Sequence, residues 1–307
     1  MNKGIDFCIC TYNRIDYLRT CIDQLLPQII EGKTLLTIVD NGSNDVTKEY
    51  VELLQKESKT IRYVFAHEKG LSHARNEGWR TSTFEWIFYL DDDCLPQEGW
   101  VNSALMLVEQ NGTFDAYGGP IDPIFQGDLP DWLPDDFGRF EMSFQATTKL
   151  NSGFIRGGCF LVKKKALEKL GGFDIALGVT GKVLRYGEEF DLQVRMRHAG
   201  FSIAYAPTLR IGHFIRTEKL NVRWMLQSVY ARHRDKMGFN PISLGQSSFN
   251  LIRTSFGRII WMPVHLIQCM TRRNYSWQRT CLDISQPLVK TFGEWIGTWR
   301  NLKKPKS

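Results

Sequence analysis

Over its first hundred residues the chain alternates short apolar runs with stretches whose apolar residues recur at helical spacing, a rhythm that few folds accommodate. Ile5 to Cys10, Leu35 to Val39, Ile61 to Phe65 and Trp86 to Leu90 read as strands, each ended by small, polar or acidic residues. Between them, Tyr17, Leu18, Cys21, Leu25 and Leu26 mark one apolar helix face. Val46, Tyr50, Leu53 and Leu54 mark a second, and Leu71 to Trp79 begins a third. Such alternation implies parallel strands joined by crossover helices, hence an α/β fold around a central, mostly parallel sheet. Ligands of these sheets bind beyond the carboxyl ends of the strands.

That rule directs attention to Thr11-Tyr12-Asn13-Arg14, Asp40-Asn41-Gly42-Ser43, His67-Glu68-Lys69-Gly70 and Asp91-Asp92-Asp93, which follow the four strands in turn. A Gly-x-Gly-x-x-Gly turn after the first strand is missing, and Gly-Lys-Ser/Thr occurs nowhere, which excludes the common dinucleotide and phosphate loops. Three consecutive carboxylates repel one another, and a divalent cation relieves that repulsion most directly. Oxygen ligation with few protein donors suits Mn²⁺ or Mg²⁺ shared with a diphosphate. Extended backbone puts Asp91 and Asp93 on one face and Asp92 on the other. Asp93 is the expected metal ligand, and Asp91 reaches the ribose or the metal through water. A solvated acidic turn is the plain alternative, but the apolar run Trp86 to Leu90 would deliver these acids to the sheet's edge.

From about Phe114 the alternation weakens into Gly-, Pro- and Asp-rich turns, which read as loops shaping a binding surface. A strand-like stretch near Phe154 to Val162 leads into a basic helix, and the turn Gly171-Gly172-Phe173-Asp174 precedes a helix opened by Glu188-Glu189 and running through Arg197. Ile203 to Ala206 and Leu209 to His213 read as short strands, and Val222 to Arg232 as a helix.

Thr11-Tyr12-Asn13-Arg14, Val39 to Asp45, Gly70 to Gly78, Leu90 to Asp93, Gly171 to Asp174, Gly187 to Leu192 and His213, in this order and spacing, resemble family 2 glycosyltransferases of the GT-A fold. The resemblance covers about Ile5 to Phe214, and it implies an inverting, metal-dependent transfer of a sugar from a nucleoside diphosphate donor. UDP is favoured as the family's commonest donor. Thr11, Asn13 and Arg14 would line the nucleotide pocket with Asn41, Asp91 and Asp92, Asp40 would accept from the base, and Arg75 would meet a phosphate or the base. Asp93 and His213 would hold the metal. Family members commonly carry Glu-Asp where this chain has Glu188-Glu189, so Glu189 takes the position of the base, with Glu188 and Asp191 as the alternatives. Many relatives have Asn at the place of Cys159, a departure expected to alter sugar contacts. Trp132 and Asp131 are candidates to stack on and hydrogen-bond an acceptor sugar. A non-catalytic scaffolding member and a sugar nucleotidyltransferase are the rival readings; the latter needs a Gly-rich loop and a Lys after the first strand.

Charge separates the tail from the rest. Ten Lys/Arg against two acids give residues 249–307 a charge of +8, which leaves −2 on the remainder of a chain whose total is +6. Trp261, Trp277, Trp295 and Trp299 are interspersed with these cations, and the apolar run Ile259 to Met270 is too short to span a bilayer and contains Pro263. Helices lying in a membrane interface fit this pattern, as does a helical lid on the domain's flank. The expected division is a catalytic domain over 1–238, with its nucleotide half at about 1–112 and its acceptor half at about 113–238, and a basic helical region over 239–307. No secretory layout opens the chain, so a cytoplasmic protein, peripheral at the membrane's inner face and acting on a glycan or lipid-linked acceptor, is expected. The seven cysteines then read as free thiols, and no nucleic-acid-reading element is recognisable. A basic tail shared between subunits would suit a homo-oligomer.

Overall fold

The computed structural model of the chain describes residues 2–109, 113–134, 136–181, 183–271 and 276–303. Arg272, Arg273, Lys304 and Lys306, four of the tail's cations, lie outside the described residues. Packing divides the chain into two compact units, one made of residues 1–124, 138–181 and 188–214, the other of 125–137, 182–187 and 215–307.

The first unit opens with β1 (Asn2–Thr11), α1 (Ile15–Leu25), β2 (Thr34–Asp40), α2 (Thr47–Glu57), β3 (Ile61–Phe65), α3 (Leu71–Thr81) and β4 (Phe84–Asp91). It continues through β5 (Cys94–Leu95), α4 (Trp100–Glu109), β6 (Ala116–Gly118), β7 (Ile121–Phe125), β8 (Thr148–Lys149), β9 (Cys159–Lys163) and α5 (Lys164–Leu170). It closes with α6 (Glu188–His198), β10 (Ile203–Tyr205) and β11 (Ile211–Ile215). An eight-stranded sheet runs in the order β3-β2-β1-β4-β9-β6-β10-β8, and β5-β11-β7 form a small second sheet. The four strands expected from the apolar runs are all present, and β1 pairs in parallel with both β2 and β4. β2 is buried along its whole length, as a central strand covered on both faces must be.

Alternation along β1 feeds two cores. Phe7 and Ile9 join Leu18, Cys21, Val51, Trp100 and Val101 of α1, α2 and α4 on one face. Cys8 joins Ala74, Ala166, Leu167, Leu192 and Met196 of α3, α5 and α6 on the other. Phe88 stacks on Phe7 at 5.6 Å between ring centroids and meets Trp100 at 4.5 Å, so truncating it to Ala would cost about 3–5 kcal/mol. All seven cysteines are free thiols, and Cys8 fills the space left by Gly78, where any Cβ would collide with its sulfur.

Two expectations need correction here. Of the face expected on α2, Tyr50 and Leu54 pack against the core while Val46 and Leu53 are exposed, and the residues fully buried are Thr47 and Val51. Residues 47, 51 and 54 share a stripe at helical spacing, with the β-branched Val51 at its centre. The stretch after Phe114 is not loop alone, because Ala116–Gly118 forms β6 inside the large sheet, parallel to β10. Three residues are too few to show a period.

The second unit is built on α7 (Val222–Phe239), α8 (Leu244–Thr271) and α9 (Trp277–Leu302). The contacts thus part at Phe214/Ile215, and α7 groups with the tail rather than with the sheet. Asn221 and Ser276 cap α7 and α9, accepting from Trp224 N at 2.8 Å and Arg279 N at 3.3 Å. α7 and α9 approach backbone to backbone, since a Cβ at Gly293 would lie 2.7 Å from the Tyr230 carbonyl. α8 is one continuous helix through Pro263, and it leaves Phe249, Phe256, Ile260, Ile267 and Met270 exposed. Among the described residues no helix is long and apolar enough to cross a membrane.

Candidate functional site

In the order β3-β2-β1-β4 the chain builds outward from β1 in one direction and returns on its other side, so the connections leaving β1 and β4 diverge and open a crevice at their carboxyl ends. The Thr11–Arg14 loop and the three aspartates stand at that point.

Asp92 points back toward β1. It accepts from Thr11 Oγ1 at 2.8 Å and from Arg14 Nη1 at 2.6 Å, and it is buried. Burial, opposed by Arg14 and reinforced by Asp93, pushes its carboxyl up to about 6. Burial disfavours the charge of Arg14, yet Asp92 and Asp93 more than compensate and raise its pKa. Thr11, Arg14 and Asp92 therefore lock two loops together, and Arg14 keeps a partly exposed guanidinium 3.5 Å from Asp93 Oδ2.

The neighbouring loops are clipped in the same way. Asn13 is the one non-glycine residue with positive φ among the described residues, at 53°. Its N–H donates to Ser43 Oγ at 2.9 Å, and its Oδ1 accepts from Asn44 N at 2.7 Å. Asp40 is buried and accepts from Ser43 N at 2.8 Å and from Tyr63 Oη at 3.0 Å, so its oxygens are taken up by its own loop and by β3. Asn41 donates to the Glu68 carbonyl and accepts from Gly70 N, both at 2.7 Å, which sets the entry to α3.

Asp91, Asp93 and His213 converge from β4, its turn and β11, with one donor atom of each within 4.8 Å of the others. His213 Nε2 lies 3.0 Å from Asp93 Oδ1, and β11 pairs antiparallel with β5 to hold it there. Gly158 leaves room beside this cluster: a Cβ there would sit 2.9 Å from Asp91 Oδ2. Two carboxylates and one imidazole form a donor set that fits Mn²⁺ well and Mg²⁺ adequately.

Arg75 connects this cluster to the acids of α6. It is only 4% exposed, donates to Glu188 Oε1 at 2.8 Å and lies 3.5 Å from Asp91 Oδ1. Arg75 is therefore an interior cation of α3, turned to these acids. Burial works against its charge, and Glu188, Asp91 and Glu189 outweigh that and raise its pKa. Burial, with repulsion from Glu189, pushes Glu188 up to about 8 in spite of Arg75. Glu189 is half-buried and faces the same small residue as Arg75: a Cβ at Gly157 would lie 2.9 Å from Arg75 Nη2 and 3.3 Å from Glu189 Cδ.

Other expected residues are engaged elsewhere. Asp191 accepts from Arg195 Nε at 2.7 Å, and Arg195 in turn donates to the carbonyls of Leu170 and Gly172, so this acid fastens α6 to the glycine turn. Cys159 is buried with its thiol toward the Leu209 carbonyl at 3.4 Å, and it faces the core rather than any sugar. Asp131, exposed, and Trp132, half-buried, belong to the second unit. The Arg75–Glu188 pair and the two glycines opposite were not foreseen; the adjacent Gly157-Gly158 before a strand was the only signal for them.

The description "Glycosyl transferase family 2" belongs to the family model that matches residues 6–171, more than half of the chain. The chain is 26% identical over 224 residues to the succinoglycan biosynthesis protein ExoM of Rhizobium meliloti, which covers 72% of this chain and 70% of that protein. It is 21% identical over 234 residues to the glucosyl-dolichyl phosphate glucuronosyltransferase of Haloferax volcanii, covering 72% of each. Among solved structures, the mannosyltransferase PcManGT from Pyrobaculum calidifontis, in complex with GDP-Man and Mn²⁺, is similar with a TM-score of 0.61 at 14% identity, over 94% of this chain and 86% of that one.

Proposed function

The chain belongs to glycosyl transferase family 2 and is a glycosyltransferase of GT-A fold, and from that premise we propose that it transfers a sugar, with inversion, from a nucleoside diphosphate donor to a hydroxyl of a lipid-linked glycan acceptor. The observation that carries this reading is the meeting of two acidic groups across Arg75, one with a metal-ligand donor set and one at the start of α6.

Asp91, Asp93 and His213 would hold the divalent cation, which offsets negative charge on a diphosphate oxygen when bound. Arg14 extends a partly exposed cation beside them toward the same phosphates. Glu189 takes the acceptor's proton as its oxygen attacks the anomeric carbon from the face opposite the departing diphosphate. Glu188, held protonated by burial up to about pH 8, is kept out of the base's role and fixes Arg75. Asp91 and Glu189 both border the glycine pair, whose missing side chains let Arg75, Glu189 and Asp91 approach the backbone there closely.

The lipid-linked part of the reading is supported by the exposed apolar face of α8, by the basic tail and by a relative whose name contains a dolichyl phosphate. Helices of this composition lie in a bilayer interface. ExoM supports cell-surface polysaccharide as the product class. UDP is the proposed donor nucleotide.

Thermal unfolding with UDP, GDP, dTDP and CMP, each with Mn²⁺ and with EDTA, tests the donor half. A ligand at a hundred times its Kd adds about 2.7 kcal/mol, a midpoint rise of several degrees. The expected result is a Mn²⁺-dependent rise with UDP that Asp93→Ala abolishes; no rise with any nucleotide would sink the proposal.

A further inference from the structure

Gln193 of α6 is wholly buried together with Leu192 and Met196, in an apolar core where an amide is costly unless its polar groups find partners. Its Oε1 accepts from Ile155 N at 3.0 Å, and its Nε2 donates to the Ile155 carbonyl at 2.9 Å and to the Glu189 carbonyl at 3.0 Å. Both amide hydrogens are thereby used, and the reverse orientation of the amide would set its oxygen against two carbonyl oxygens. The side chain thus supplies one rung of a ladder to Ile155, a buried residue that lies outside any strand.

Ile155 stands two residues before Gly157, so this clip fixes the start of the glycine turn. Gly157 lies against the α6 side of the site, where a Cβ would come 2.9 Å from Arg75 Nη2 and 3.3 Å from Glu189 Cδ. Gly158 lies against the metal-ligand side, where a Cβ would come 2.9 Å from Asp91 Oδ2. Cys159 then enters β9 and pairs with Leu90 of β4, the strand that ends in Asp91. Residues 155–158 therefore run from the helix that carries Glu189 to the strand that carries Asp91, and Gln193 fastens the helix end of that span.

We infer that Gln193 is a positioning residue, which holds Glu189 at a fixed separation from the Asp91, Asp93 and His213 cluster by tying the glycine turn to α6. A displacement at the anomeric carbon runs in line from base to leaving group, and a misplacement of about 1 Å can cost about 10²-fold in rate. The three hydrogen bonds of Gln193 all go to backbone, so it acts through Ile155 and the first turn of α6. Thr11, Arg14 and Asp92 are fastened to one another instead, which leaves the nucleotide side independent of the clip. The inference rests on the assignment of Glu189 as the base in the proposed function.

Gln193→Leu keeps the space filled and removes the clip. Hydrogen exchange of the full chain reads the structural half: exchange is expected to quicken in residues 153–158 and 188–193 and to stay at the wild-type rate in 11–14 and 90–94. Release of UDP from UDP-sugars with Mn²⁺, water standing in for the acceptor, reads the functional half. Gln193→Leu is expected to lower kcat by about ten- to a hundredfold while Mn²⁺-dependent thermal protection by UDP is kept. On a Glu189→Gln background the same change is expected to cost less than about twofold, because the group it positions is already gone. Val51→Ala, a core change on the other face of the sheet, is expected to lower the unfolding midpoint and leave kcat at the wild-type value. Unchanged exchange in 153–158, or equal losses of kcat in the two backgrounds, overturns the role of Gln193 and leaves Glu189 as the base. Wild-type kcat in Glu189→Gln alone overturns the base assignment and this inference with it. If Gln193→Leu fails to fold, Gln193→Asn, whose amide stops one methylene short of Ile155, carries the same comparisons.

Discussion

Arg75 donates to Glu188 at 2.8 Å with both side chains almost wholly out of solvent, and this pair lies between the metal-ligand cluster and the α6 acids. With the Glu188 carboxyl raised to about 8, removing the arginine leaves that buried group without its hydrogen-bond donor and the nearby Asp91 and Glu189 without the cation that offsets them. Arg75→Met is therefore expected to destabilise by about 1–3 kcal/mol. Glu188→Gln keeps the volume, and its effect depends on pH. Because Glu188 is raised to about 8 from an ordinary 4.5, the folded state holds a proton that the unfolded chain releases. Its contribution is fully present below about pH 4.5 and is lost as pH rises through 8. Urea unfolding from pH 5 to 9 should show wild type weakening across that window and Glu188→Gln weakening less; parallel curves would refute the assignment.

Glu189→Gln should lower kcat by about 10²–10⁴-fold while leaving Mn²⁺-dependent nucleotide binding in place. Asp191→Asn, by contrast, weakens the pair within α6 that aims Arg195 at the Leu170 and Gly172 carbonyls and should lower the unfolding midpoint with kcat changed only a few fold. If Asp191→Asn abolished turnover and Glu189→Gln did not, the base would be misassigned.

The strands, the crossover helices and the polar loops that follow them were legible because apolar period and turn residues are local signals, and the metal cluster was half legible because Asp91 and Asp93 alternate away from Asp92. Residues that act through distant partners were harder to read. Arg75, on a helix among Ser, His and Asn, has the local pattern of a solvated cation, and only the return of the chain to α6 supplies Glu188 to bury it with. The brief β6 has too few residues to reveal a period, and in α2 five apolar residues, Val46, Tyr50, Val51, Leu53 and Leu54, spread over more of the helix than one face, so the pattern alone does not single out Val51. In α8 the helix continues through Pro263 at the loss of one backbone hydrogen bond.

Gly158→Ala tests the crowding beside the metal ligands. Its new Cβ would stand 2.9 Å from Asp91 Oδ2, inside ordinary contact, so either the carboxylate or the strand end must shift. The expected outcome is a rise of about ten- to a hundredfold in the Mn²⁺ concentration needed for half-maximal turnover, with the fold retained by circular dichroism. An unchanged Mn²⁺ requirement would mean that Asp91 does not ligate the cation.

Asp6 presents an acid with no place in the chemistry. It lies in β1, fully buried, with Arg62 Nη1 no nearer than 3.7 Å, and burial pushes its carboxyl up to about 6 from 3.8. The raised value means that its contribution to stability is complete below about pH 3.8 and is lost as pH climbs through 6. Asp6→Asn carries no charge at any pH and so escapes that loss. The variant should match or fall slightly below wild type at pH 5, and it should unfold at a higher temperature than wild type at pH 8, by a few degrees for each kcal/mol recovered. Its distance in sequence from the active-site loops means that nucleotide affinity should stay at the wild-type value. A variant less stable than wild type at pH 8 would instead show that the ionised carboxylate, drawn to Arg62, is itself a favourable part of the sheet.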